Sequence, residues 1–178
     1  MDNWWYGSPD RFAVCSRTDR VELTTLLPAT GRFVVARLDG KRMADADHVF
    51  YEFSDALLFP GYFGWNWNAL SDCLRDLHWL PADGYLVVIE NMRWLLSSNP
   101  EDRLILVEIL RRAVATWASP LGGVVPFTVL LLCDSDEEAS ALRREVADTS
   151  GRPGEGGPPP PATTNVYRTG GLAARPHI

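Results

Sequence analysis

Three short apolar runs constrain this chain more than any other feature: Arg32–Leu38 (RFVVARL), Tyr85–Glu90 (YLVVIE) and Phe127–Cys133 (FTVLLLC). Each has strand length and a near-continuous apolar sequence, the signature of a strand buried in a parallel sheet. None approaches the ~20 residues that a bilayer span needs. Helical patterns lie between them. Asp45–Leu58 carries an apolar stripe of Ala46, Val49, Phe50, Phe53 and Leu57, and Pro60 stops it. Phe59–Asn66 reads as a loop with Gly61 and Gly64 as its flexible points. Trp67–Leu77 reads as a second helix with Asn66 as N-cap. Asn99-Pro100-Glu101-Asp102 opens a third helix that runs to Trp117: a cap, a proline in the first turn, then acids favourable to the helix dipole. Asp136–Ala147 closes the pattern as a short helix. Strands alternating with helices predict an α/β fold, a small parallel sheet packed with helices in a single domain.

That domain spans residues 32–148. Residues 1–31 form an N-terminal extension. Phe12–Cys15 and Val21–Leu27 are strand candidates within it, and Trp4-Trp5-Tyr6 is a segment able to dock on the core. Residues 149–178 read as a flexible tail. From Ser150 onward they hold six glycines and six prolines, with Val166, Leu172 and Ile178 as the only branched aliphatics. Such a segment buries too little apolar surface to offset its ordering entropy.

The formal net charge is −6, but it is unevenly spread. From Asp45 to Glu90 there are eight acids and one base, Arg75, a net of −7, and the remainder is close to neutral. An acidic chain without basic patches is a poor candidate for direct nucleic-acid or membrane-surface binding. The N-terminus has neither the basic nor the apolar region of a signal peptide. Cys15, Cys73 and Cys133 are far apart and lack metal-ligand spacing, so they read as reduced thiols of a cytoplasmic protein.

The acidic window also carries the chemistry. Helical spacing over Trp67–Leu77 places Leu70, Cys73, Leu74 and Leu77 on a buried face. Asn68, Asp72, Arg75 and Asp76 fall opposite, with Ser71 at the edge. The preceding loop adds Tyr62, Phe63 and Trp65, and eight of the 19 aromatic residues lie between Phe50 and Trp67. Rings beside exposed carboxylates suit a protein interface, the rings supplying rigid area and the acids steering. The plainer alternative is a solvated Asp72 and loop rings packed on their own core.

The string Pro60-Gly61-Tyr62-Phe63-Gly64-Trp65-Asn66-Trp67-Asn68-Ala69-Leu70-Ser71-Asp72-Cys73-Leu74 resembles the barstar family of intracellular ribonuclease inhibitors. The proline, aromatic pair, glycine, asparagine, Ala-Leu and Asp-Cys-Leu keep the family's order and spacing. A looser likeness covers Arg32–Leu132. The resemblance implies a barstar-like three-layer fold with a three-stranded parallel sheet. It also implies a non-catalytic inhibitor, in some settings an immunity protein, whose second helix and preceding loop plug the active site of a basic ribonuclease or toxin nuclease. Asp72 then matches the central aspartate, standing where the substrate phosphate would sit, and Tyr62 matches the stacking loop aromatic. Trp65, Asn68, Ser71, Phe63 and Asp76 flank them as partner contacts. No cofactor or metal is implied.

Four departures rewrite the contact surface. Asn68 replaces a family aspartate, Ser71 and Leu77 replace tryptophans, and Trp65 replaces a glutamate. They keep open a non-nuclease partner for a fold-sharing adaptor. A third reading, a small metal-dependent hydrolase using Asp72, Asp76 and His78, rests on the i,i+4 spacing of the two acids; His78 lies off their face.

Overall fold

The three apolar runs form strands, and a fourth strand joins them. The computed structural model describes residues 11–17, 30–118 and 125–150. Its elements are β1 (Phe12–Ser16), β2 (Phe33–Asp39), α1 (Ala46–Ala56), α2 (Trp67–Asp76), β3 (Gly84–Glu90), α3 (Pro100–Trp117), β4 (Phe127–Cys133) and α4 (Asp136–Ser150). Trp4-Trp5-Tyr6, residues 21–27 and the tail from residue 151 lie outside the described residues.

The strands form one parallel sheet in the order β1-β4-β3-β2. In the central register Val87 stands between Ala36 and Val129. The architecture is the expected α/β fold, with four strands where three were expected. The addition is β1, which pairs Phe12 with Val129 at the sheet's edge. Its partner lies more than a hundred residues away, beyond the reach of local patterning.

The sheet has two unequal faces. Ala36, Leu38, Tyr85, Val87, Ile89, Phe127, Val129 and Leu131 share one buried cluster with residues of all four helices. Leu86, Val88 and Leu130, alternating with these, form a smaller cluster on the other face. The period-2 alternation of strand side chains thus divides one apolar run between two cores.

Helix ends follow local chemistry. The Asp45 carboxylate accepts the His48 backbone N–H at 3.0 Å and starts α1. Asn66 Oδ1 accepts the Ala69 N–H at 2.9 Å and starts α2. Leu77, in the left-handed region at φ 46°, ends α2. Where β2 turns into a short 3-10 helix, Gly40 lies against β3's end. A Cβ there would stand 2.5 Å from the Asn91 carbonyl oxygen, so a side chain would force the two strand ends apart. Asn91 closes the same junction by donating from Nδ2 to Asp39 Oδ1 at 2.7 Å. No helix among the described residues is long and apolar enough to cross a membrane.

Candidate functional site

The candidate surface is built on α2. Its inner stripe of Leu70, Cys73, Leu74 and Leu77 is buried, as the spacing predicts. The Trp117 indole N–H of α3 donates to the Leu74 carbonyl at 2.9 Å, tying the two helices together. Burial, with Asp72 and Asp76 nearby, pushes the Cys73 thiol pKa up, so the group stays protonated and packs as a small hydrophobe.

The loop before α2 runs back along the helix. Phe59 meets Trp79 beyond the helix's carboxyl end, with ring centroids 5.9 Å apart, and the Trp79 indole donates to the Leu57 carbonyl at 3.1 Å. At the other end Asn66 caps α2 and donates from Nδ2 to the Gly64 carbonyl at 2.9 Å. The molecule therefore presents two neighbouring rows, an aromatic one from the loop and a polar one from the helix.

In the polar row, Asn68, Asp72, Arg75, Asp76 and His78 are exposed and Ser71 is half-buried. The Asp72 side chain is 72% exposed, yet it is paired: Arg75 Nη2 lies 2.5 Å from Asp72 Oδ1. Arg75 Nε also donates to the Ser71 carbonyl at 3.1 Å, which fixes the guanidinium along the helix. Asp76 Oδ2 lies 2.8 Å from His78 Nδ1. The three residues of the hydrolase reading are thus split between two local pairs. No group of three or more His, Cys, Asp or Glu suited to a metal ion occurs among the described residues.

In the aromatic row, Tyr62 is 69% exposed and Trp65 51% exposed. Phe63 differs from its expected place on the surface: only 4% exposed, it belongs to the core. Its ring lies 4.9 Å from Phe59, 6.3 Å from Phe50 and 5.1 Å from Trp65. Burial against these rings stabilises Phe63 more than any exposed position could, and from below it props Trp65.

Arg75 lies on the polar face where its helical spacing placed it, but its ion pair with Asp72 escaped the sequence reading, although the i,i+3 spacing signalled it. A second group also escaped it. Tyr51 of α1 is 67% exposed, with its ring 5.6 Å from Trp65. Its signal was a large ring off the helix's apolar stripe.

A family model described as Barstar (barnase inhibitor) matches residues 33–131, more than half of the chain, from the first residue of β2 into β4. The match takes in both rows and supports a protein-binding role of the barnase-inhibitor kind. No curated protein matches the chain.

Proposed function

The chain belongs to the barstar family, and we propose that it is a cytoplasmic, non-catalytic inhibitor of a basic ribonuclease or toxin nuclease, in the latter case an immunity protein. The observation that carries the reading is Asp72, an exposed carboxylate at the centre of a helix locked on its inner side and preceded by a loop that holds Tyr62 and Trp65 exposed. A carboxylate so placed stands in for a substrate phosphate and meets the cations the nuclease uses on RNA. Tyr62 stacks beside it, and Trp65, Asn68, Ser71 and Asp76 complete the contact. The surplus charge of the 45–90 window draws a basic partner in and orients it.

Arg75 does not block this. An exposed pair one turn apart on a helix is worth only ~0.3–0.5 kcal/mol. A nuclease guanidinium inside a water-poor cleft interacts more strongly than that and displaces it. Until then Arg75 holds the Asp72 carboxylate along the helix.

The test is Asp72→Ala against small basic ribonucleases, barnase among them. Binding should weaken by about 2 kcal/mol or more, the range of an interface hot spot. Thermal stability should stay within ~0.5 kcal/mol, because the side chain is exposed. Undiminished inhibition by this variant would sink the mechanism. Asn68 and Ser71 favour a second reading, a non-nuclease partner for the same surface. A captured partner without nuclease activity, released by Asp72→Ala, would establish it.

A further inference from the structure

Four of the large apolar side chains exposed among the described residues fall between positions 51 and 65: Tyr51, Leu58, Tyr62 and Trp65. Two of these, Leu58 at φ 52° and Trp65 at φ 50°, also sit in the left-handed backbone region that leucine and tryptophan disfavour. Each therefore carries a backbone cost while leaving half or more of its side chain in water, Leu58 at 64% exposed and Trp65 at 51% although it meets Phe63 and Tyr51. Leu77 and Leu96 share the backbone conformation but are fully buried, so there the core repays the strain.

Tyr51 stands on α1, and Leu58 follows two residues past the helix's last residue, Ala56. Tyr51 joins the aromatic row at Trp65, while Leu58 lies between Leu57 and Phe59, both held against Trp79 at the row's other end. A stable protein interface takes about 20–30 residues a side. The loop and α2 offer ten exposed residues between Gly61 and His78, too few by themselves.

We propose that the partner-binding surface extends across α1, with Tyr51 and Leu58 as contacts at its two ends, and that the partner borders its cationic cleft with an apolar shelf. This rests on the nuclease-inhibitor reading and names the partner's surface chemistry. The cleft receives Asp72, and the shelf covers the row Tyr51, Trp65, Tyr62 and Leu58. The apolar side chains held outward at a backbone cost serve that contact and not the fold.

Tyr51→Ala and Leu58→Asn test it, since alanine favours the helix and asparagine tolerates the left-handed conformation. Both variants should melt no lower than the intact chain, and Leu58→Asn slightly higher. Each should weaken binding to whichever member of a panel of small basic ribonucleases, barnase included, binds the intact chain, by about fivefold or more. A melting temperature lowered by several degrees would assign these side chains to the fold and overturn the proposal. So would unchanged binding by both variants where Asp72→Ala abolishes it, a result that leaves the inhibitor reading intact. If no ribonuclease of the panel binds the intact chain, the inhibitor reading itself falls, and the shelf with it.

Discussion

Tyr85, Trp117 and Phe127 meet beneath α3, with ring centroids 5.2–6.2 Å apart, while Tyr51, Tyr62 and Trp65 lie in solvent on α1 and the loop before α2. The residue types are nearly the same, yet their polar atoms behave differently. The Tyr85 hydroxyl donates to the Leu80 carbonyl at 2.7 Å, and the Trp117 indole donates to Leu74. Tyr51, Tyr62 and Trp65 make no such bond among the described residues. The buried set uses the apolar bodies of all three rings and the polar tips of Tyr85 and Trp117 to hold the sheet, α2 and α3 together. The outer set leaves much of its ring surface in solvent, although Trp65 also meets Phe63 and Tyr51. Aromatic content therefore says little about role; what separates the sets is whether the polar tip is satisfied internally.

Truncation of a buried ring should break this contrast if it can be broken. Phe127→Ala should cost about 3–5 kcal/mol in urea unfolding, as a fully buried ring leaves a cavity. Tyr62→Ala should stay within ~0.5 kcal/mol. Similar losses for the two would mean that the outer rings also support the fold.

A smaller change isolates the polar tips. Trp117→Phe keeps most of the ring but deprives the Leu74 carbonyl of its donor, with an expected cost of about 1–2 kcal/mol. Trp65→Phe should leave unfolding unchanged.

Arg75→Ala sharpens the comparison through charge. The Asp72 carboxylate loses its internal partner. Stopped-flow association with a basic ribonuclease should speed up a few-fold at low salt, with the gain fading as salt screens the field. A slower association would show that Arg75 itself contacts the partner.

The smallest effect concerns the caps. Hydrogen bonds from the His48 backbone and side chain outweigh partial burial and hold the Asp45 carboxyl below its ordinary 3.8. A lowered folded pKa contributes stability that is present above the ordinary value and is lost as pH falls through the lowered one. The α2 cap, Asn66, does not titrate. In amide exchange followed by NMR, protection at the start of α1 should fall at acid pH before protection at the start of α2. Asp45→Asn should remove that difference.

The strands β2, β3 and β4 and the inner stripe of α2 were legible because burial imposes a period on the sequence. Asn66 was legible as a cap because capping needs a short acceptor side chain next to an apolar pattern, whereas Asp45, read as the first residue of its helix, is the cap before it. The loop has no period, so Phe63 and Trp65, two residues apart, could not be sorted into inner and outer. Their directions depend on the positive φ of Trp65 and on the Phe50 and Phe59 rings, which only the fold brings near. Tyr51 was hidden for the same reason: its partner ring is fourteen positions away across a turn.

The edge strand has a consequence in time. Phe12 pairs with Val129, and among the described residues β1 pairs with no other strand, so this first of the four strands has none of the other three to pair with until β4 exists. On a ribosome, β2, α1, α2 and β3 emerge as neighbours able to assemble in order, while β1 waits through more than a hundred residues of synthesis. The helix that carries Asp72 can be in place before the sheet is complete, and β1 can join only once β4 has been made, although it is translated before β2, β3 and β4.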